Sequence, residues 1–240
     1  MSSLLKSFLI VSICVAPATS HGKSQDSADT FIQKLFGDKR TGVFFDVGAT
    51  DGITNNRTYY LEKELGWVGA CIESTPSSYE KLRTCRLAVC INAAIAPQSG
   101  SLPFLRITAG HNEQNIAALS GPLASFEPVE LKIALERAYN LKGKIDFTDM
   151  PCFTFAQVME ALELNHLDLL CIAKSEQMAE VLKTIDFNMF DVDVIVVENA
   201  GSNHEIQKTL ITNGFVLIRK FESEEIYRNT KYYSSKSNYI

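Results

Sequence analysis

Two carboxylates and a glycine turn mark where this chain could do chemistry. Val43-Phe44-Phe45-Asp46-Val47 is an apolar run broken by one acid, and Gly48-Ala49-Thr50-Asp51-Gly52 follows it. That order reads as a buried strand running into a tight loop and then a helix. Gly48 and Gly52 have no Cβ, so backbone there can come close to a small molecule. Asp46 suits a cationic ligand better than a phosphate. The spacing is D-x-G-x-x-x-G, with Thr50 where the dinucleotide fingerprint has its second glycine. A second short run, Gly69-Ala70-Cys71-Ile72-Glu73, ends in an acid placed to grip ribose hydroxyls. S-adenosylmethionine has a ribose, an amino acid end and a positively charged sulfonium, and no phosphate. It meets both features.

The remaining elements must hold these residues together. Asn56 to Gly66 reads as the connecting helix, with Leu61 and Leu65 on one face and Gly66 as its stop. Thr30 to Phe36 reads as a lead-in helix. Pro76 opens a helix through Cys85. Ala88 to Asn92 reads as strand three. From Pro97 to Asp149 the pattern is less regular. Leu102 to Ile107 has strand character, Val129 to Leu141 has helical spacing, and Lys144 to Met150 reads as extended. Beyond Thr154 an amphipathic helix, then strands at Leu167–Ile172, Val192–Val197, Phe215–Lys220 and Glu225–Tyr232, alternate with helices at Met178–Ile185 and Asn203–Asn213. Such alternation predicts an α/β fold: a mainly parallel sheet of seven strands covered by helices on both faces. Ligands on such sheets sit beyond the carboxyl ends of the strands, where Asp46, Glu73, Asn92 and Glu198 all fall.

The 240 residues are 46% hydrophobic, enough for one substantial core. A net charge of -5 and the absence of a long Lys/Arg cluster argue against nucleic acid as the main partner. Residues 1–20 read as a secretory signal peptide: a short basic start, an apolar run too brief to span a bilayer, and small residues at Ala16-Pro17-Ala18 and Ala18-Thr19-Ser20. That predicts a secreted, periplasmic or endomembrane-lumen protein, and a cytoplasmic one if the segment is not a signal. No transmembrane span is expected in the mature chain. Residues 21–29 read as a polar linker, and 30–240 as one domain. Outside the leader there are five cysteines, irregularly spaced, three of them in apolar runs. They indicate neither a disulfide framework nor a zinc site, and no metal is expected.

Phe45–Gly52, Leu61-Glu62-Lys63-Glu64-Leu65-Gly66-Trp67, Cys71-Ile72-Glu73, Cys90-Ile91-Asn92-Ala93-Ala94, Leu119-Ser120-Gly121, Val181–Phe187 and Val194–Glu198 together resemble the FkbM-type methyltransferases. The resemblance runs from about Phe31 to Tyr233. It implies a single Rossmann-like class I methyltransferase domain using S-adenosylmethionine, often to O-methylate a hydroxyl of a sugar or natural product. It implies that Asp46, Gly48, Asp51 and Gly52 line the methionine part of the cofactor, that Glu73 holds the ribose and that Asn92 lies near the adenine. The acceptor would be a small molecule or a glycan.

The chain departs from that family after strand four. An Asp-x-Glu-Gly turn is replaced by Ala173-Lys174-Ser175-Glu176, and Arg57 stands where Asn is frequent. Two acids are lost, which opens a second reading: a catalytically degenerate fold acting through a partner. A nicotinamide-dependent oxidoreductase is a third, opposed by Thr50. Catalytic bases are not fixed by the sequence; His111, Glu198 and His204 are within reach of strand ends or the irregular region. The sequon Asn56-Arg57-Thr58 lies beside the glycine loop, where a glycan would obstruct binding.

Overall fold

The computed structural model describes residues 27–108, 119–173, 177–198 and 204–232. The segment read as a signal peptide, His111 and the Lys174-Ser175-Glu176 departure lie outside them. The chain runs α1 (Ala28–Phe36), β1 (Val43–Val47), α2 (Arg57–Leu65), β2 (Val68–Ile72), α3 (Pro76–Cys85) and β3 (Val89–Ile91). It continues through β4 (Ala94–Ile95), β5 (Gly100–Thr108), β6 (Gly121–Pro122), α4 (Pro128–Asn140) and β7 (Lys144–Phe153). Then come α5 (Phe155–Ala161), β8 (His166–Ile172), α6 (Met178–Thr184), β9 (Asp191–Glu198), α7 (His204–Thr212), β10 (Phe215–Lys220) and β11 (Glu224–Asn229).

The main sheet has seven strands in the order β10-β11-β9-β8-β1-β2-β3. Six run in one direction, and β11 alone opposes them, antiparallel to both of its neighbours β9 and β10. This is the Rossmann-like, doubly wound and mainly parallel seven-stranded arrangement expected from the sequence. The chain winds outward from β1 to β3 on one side and returns beside β1 as β8. The reversal leaves a crevice between the carboxyl ends of β1 and β8.

Side chains that alternate along the strands feed two separate cores. Phe45, Ile72, Leu170, Ile172, Ile195 and Val197 pack against Phe155, Val158 and Met159 of α5, Met178 and Leu182 of α6 and Leu210 of α7. Phe44, Cys71, Leu169, Cys171, Val194 and Val196 pack against Ile32 of α1, Leu61 and Leu65 of α2 and Leu82 of α3. Burial on both faces explains why these strands read as continuous apolar runs. Local signals set the helix ends. The Asn56 side chain accepts from the N–H groups of Thr58 and Tyr59, and Gly66 closes α2 in the left-handed region at φ 69°. α5 begins with a Thr154–Gln157 capping box.

The stretch read as irregular is more ordered than expected. β5 and β7 form a long antiparallel pair from Gly100↔Cys152 to Thr108↔Lys144. With β4 and β6 they make a second sheet, in the order β4-β7-β5-β6. Leu105, Ile107, Ala134 and Ala138 give it a small core under α4. α1 also starts inside the stretch read as linker, capped by Ser27.

Candidate active site

A cavity of about 750 Å³ opens at the carboxyl ends of β1, β2, β8 and β9. Asp46, Gly48, Asp51 and Glu73 all line it, together with Thr50, Arg57, Ser77, Lys81, Thr108, Ala173, Glu198 and Glu224. Gly52 and Asn92 are not in its wall. A smaller cavity of about 170 Å³ shares Val47, Gly48 and Ala173 with it and is walled by Ile95, Leu102 and Pro122 of the second sheet.

Asp46 is buried at the end of β1. Its Oδ2 accepts from Asn56 Nδ2 at 2.9 Å and from Thr58 Oγ1 at 2.8 Å. Burial raises its carboxyl, with Arg86 and these two donors pulling the other way. Arg86 lies fully buried under the loop. It donates to Glu62, to the Gly52 carbonyl, to Asn56 Oδ1 and to Thr58 Oγ1, and stacks over Phe44. Glu62 also accepts the N–H groups of Leu87 and Ala88. The loop therefore rests on a buried, internally satisfied polar network. Asn56 Nδ2 belongs to that network, so the sequon is committed to structure.

Glu73 follows β2 directly. Its Oε2 accepts from Thr50 N at 2.9 Å and its Oε1 from Thr75 N at 2.6 Å. Each oxygen keeps further accepting capacity toward the cavity. Burial raises the Glu73 carboxyl, opposed by those backbone donors. Thr50 sits at φ 51°, the left-handed conformation a glycine would take at that step. Its bond to Glu73 secures the strained residue to that buried acid. Asp51 turns back on its own loop, accepting from Ile53 N and from the backbone and hydroxyl of Thr54. Burial alone would raise its carboxyl; those donors outweigh it and hold the group below the usual range.

The two glycines serve the protein's own packing. A Cβ on Gly48, at φ 81°, would lie 2.5 Å from the Ala173 methyl. One on Gly52, at φ 78°, would lie 2.6 Å from Leu82 and 3.0 Å from Arg86. Asn92 likewise does structural work, since its Nδ2 donates to the carbonyls of Glu73 and Ser74 and fixes the turn after β2.

At the mouth, Arg57 donates to Glu224 at 2.8 Å and to Asp29 at 2.9 Å. Burial would lower the guanidinium, but Glu224 outweighs it and the group is held charged. Glu224 stands opposite Glu198 in the β9–β11 register. Burial raises the Glu224 carboxyl, opposed by Arg57. Of the three bases considered from sequence, Glu198 lines the cavity; His204 is exposed at the start of α7, outside the wall. The sequence reading missed Glu224 and Arg86. Glu224 lies far along the chain in an edge-like polar run, and only the antiparallel insertion of β11 brings it here. A lone Arg between helix and strand gave no signal for Arg86.

No protein-family model and no curated protein sequence matches the chain. Among solved structures, it is similar to the precorrin-6y C5,15-methyltransferase of Geobacter metallireducens GS-15, at 12% identity over 84% of this chain and 87% of that one, TM-score 0.43. It is similar to the METTL16 MTase domain at 9% identity over 84% of this chain and 65% of that one, TM-score 0.42. A protein of the NADB-Rossmann superfamily from Streptococcus agalactiae gives 11% identity, 86% and 69% coverage, and TM-score 0.39. These are likenesses of fold, and the chemistry has to be argued from the cavity itself.

Proposed function

We propose that this chain is an S-adenosylmethionine-dependent methyltransferase of FkbM type, acting on a hydroxyl of a sugar or other small metabolite. The observation that carries the reading is Glu73, buried at the end of β2, oriented by two backbone N–H groups and facing a cavity large enough for a nucleoside. The described wall carries the acids Asp46, Asp51, Glu73, Glu198 and Glu224 against the cations Arg57 and Lys81. That excess of negative charge suits a sulfonium and an α-amino group. Glu73 would accept from the ribose hydroxyls. Asp46 and Asp51 would face the methionine end. Bound cofactor supplies an electrophilic methyl. Glu198 is placed to take the acceptor's hydroxyl proton, and the apolar pocket walled by Ile95, Leu102 and Pro122 would select the acceptor. In this reading residues 1–20 are a cleaved leader, which N-terminal sequencing of the mature protein checks.

Calorimetric titration with S-adenosylmethionine tests the proposal. Binding should weaken by at least about tenfold in Glu73→Ala, the loss of hydrogen bonds to a charged group. Absence of binding by the unmodified chain rejects it.

A second reading is favoured by Ala173 and Arg57. Ala173 packs its methyl against Gly48 where the resemblance places an acid, and Arg57 brings a guanidinium into the wall. Under that reading the fold binds the cofactor but transfers nothing and acts through a partner. Transfer of a labelled methyl to any acceptor in a cell extract excludes it.

A further inference from the structure

The amino ends of the central strands carry a second cluster of ligating groups, on the side of the sheet away from the cavity. His166 opens β8 and lies opposite Asp191 at the start of β9. Asp168 and Asp193 follow two residues on. One ligand atom each from His166, Asp191 and Asp193 lies within 4.8 Å of the others. His166 Nδ1 is 3.4 Å from Asp191 Oδ2 and 3.9 Å from Asp193 Oδ1. These gaps are long for hydrogen bonds. They are close to what one ion demands, since two ligands each about 2.0–2.2 Å from it sit roughly 3–3.5 Å apart.

The far side of the ring fits the same picture. His166 Nε2 is 3.4 Å from Asp168 Oδ1. At that distance the Asp168 carboxylate acts on the ring through its charge, favouring the tautomer with the proton on Nε2 and the Nδ1 lone pair free for a metal. Asp168 is itself fixed by the Val43 N–H at 2.7 Å and by Lys39. Tyr232 donates to Asp191.

A separate observation points to a missing cation. Asp193 Oδ1 is buried and has no hydrogen-bond partner. A buried carboxylate oxygen without a donor is costly unless positive charge meets it. The carboxylates of Asp168, Asp191 and Asp193 gather around one ammonium, that of Lys39, and one imidazole, that of His166. His166 and Asp191 side chains are 38% and 37% exposed, so an ion has a way in.

We propose that His166, Asp191 and Asp193 bind one divalent first-row metal ion, of the zinc or cobalt kind, completed by water. The site bridges the starts of β8 and β9. It lies about 20 Å from the cofactor cavity, the length of a seven-residue strand. Its role is to hold two central strands together, and it takes no part in methyl transfer. The sequence expectation of no metal looked for ligand spacings along one segment; here strand pairing joins two fragments that are each too short to read.

The test uses cobalt(II) added to the chelator-stripped full chain at neutral pH. The expected result is a visible d–d spectrum saturating at one equivalent, with a rise in the thermal midpoint. Asp193→Asn and Asp191→Asn should each abolish both, with circular dichroism confirming the fold of at least one. His166→Gln should shift or remove the bands. The proposal is overturned if no bands appear, if they persist unchanged in the folded aspartate variant, or if they carry thiolate-to-metal charge transfer, which would assign the ion to cysteine.

Discussion

Gly48 and Ala173 fit each other, and the pair can be tested as one. Gly48→Ala places a methyl 2.5 Å from that of Ala173 in a left-handed backbone. The expected cost is about 2–4 kcal/mol of stability, overpacking plus conformational strain. Adding Ala173→Gly should recover the steric part and leave the strain, which a denaturant double-mutant cycle measures. Glu73 gives a pH signature. Its folded-state carboxyl titrates above the ordinary 4.5, so the native state binds its proton first. Its contribution to stability therefore rises as pH falls through the window between the raised value and 4.5. Cofactor affinity should fall over that same window, because the protonated acid loses acceptor strength. Opposite trends in thermal midpoint and binding constant, with the binding trend absent in Glu73→Gln, check this. Asp46, Gly48, Asp51 and Glu73 could be picked out from sequence because residue type and strand ends point to them. The reason for the glycines could not. Which atoms fill the space beside a missing Cβ depends on β8 and α3, remote in the chain.

Among the elements, α2 is the most heavily tied. Its first residue, Arg57, links Asp29 of α1 to Glu224 of β11, and its Glu62 faces the buried Arg86. Removing Arg86 would leave buried Glu62 with Lys63 alone, 3.3 Å away, and take the nearest positive charge from Asp46. Arg86→Met should cost about 3–5 kcal/mol, with partial recovery on adding Glu62→Gln, read from denaturant midpoints. The boundaries of β1, α3 and β10 were legible to the residue because apolar runs end there at Gly, Pro or charged residues. The second sheet was not. β4 and β6 are two residues each, too short to show alternation. β5 holds Pro103 and leaves its first residues exposed, so its period is weak. Its partner β7 lies across α4, and only that long-range pairing makes either strand persuasive.

For the molecule as a whole, the packing of the two sheets places four of the five described cysteines out of reach. Cys71, Cys85, Cys90, Cys152 and Cys171 are free thiols, and Cys85 alone among them is half-buried. Burial raises the thiols of Cys71 and Cys171, and pushes Cys90 up to about 12, so thiolate is scarce. Alkylation of the folded chain should label Cys85 first, and Cys71 and Cys171 only after denaturation, as peptide mapping would show. The winding of the sheet was legible because helix and strand periods alternate regularly after Thr154. The swap of the last two strands was not, since nothing local distinguishes a hairpin end from its middle. That swap has a temporal consequence. β11 delivers Glu224 to the cavity and anchors Arg57, yet among the described strands it leaves the ribosome after all the others. A nascent chain halted before Glu224 would hold every glycine of the loop and still lack a finished pocket, so ligand capture reports that β11 has been made and inserted.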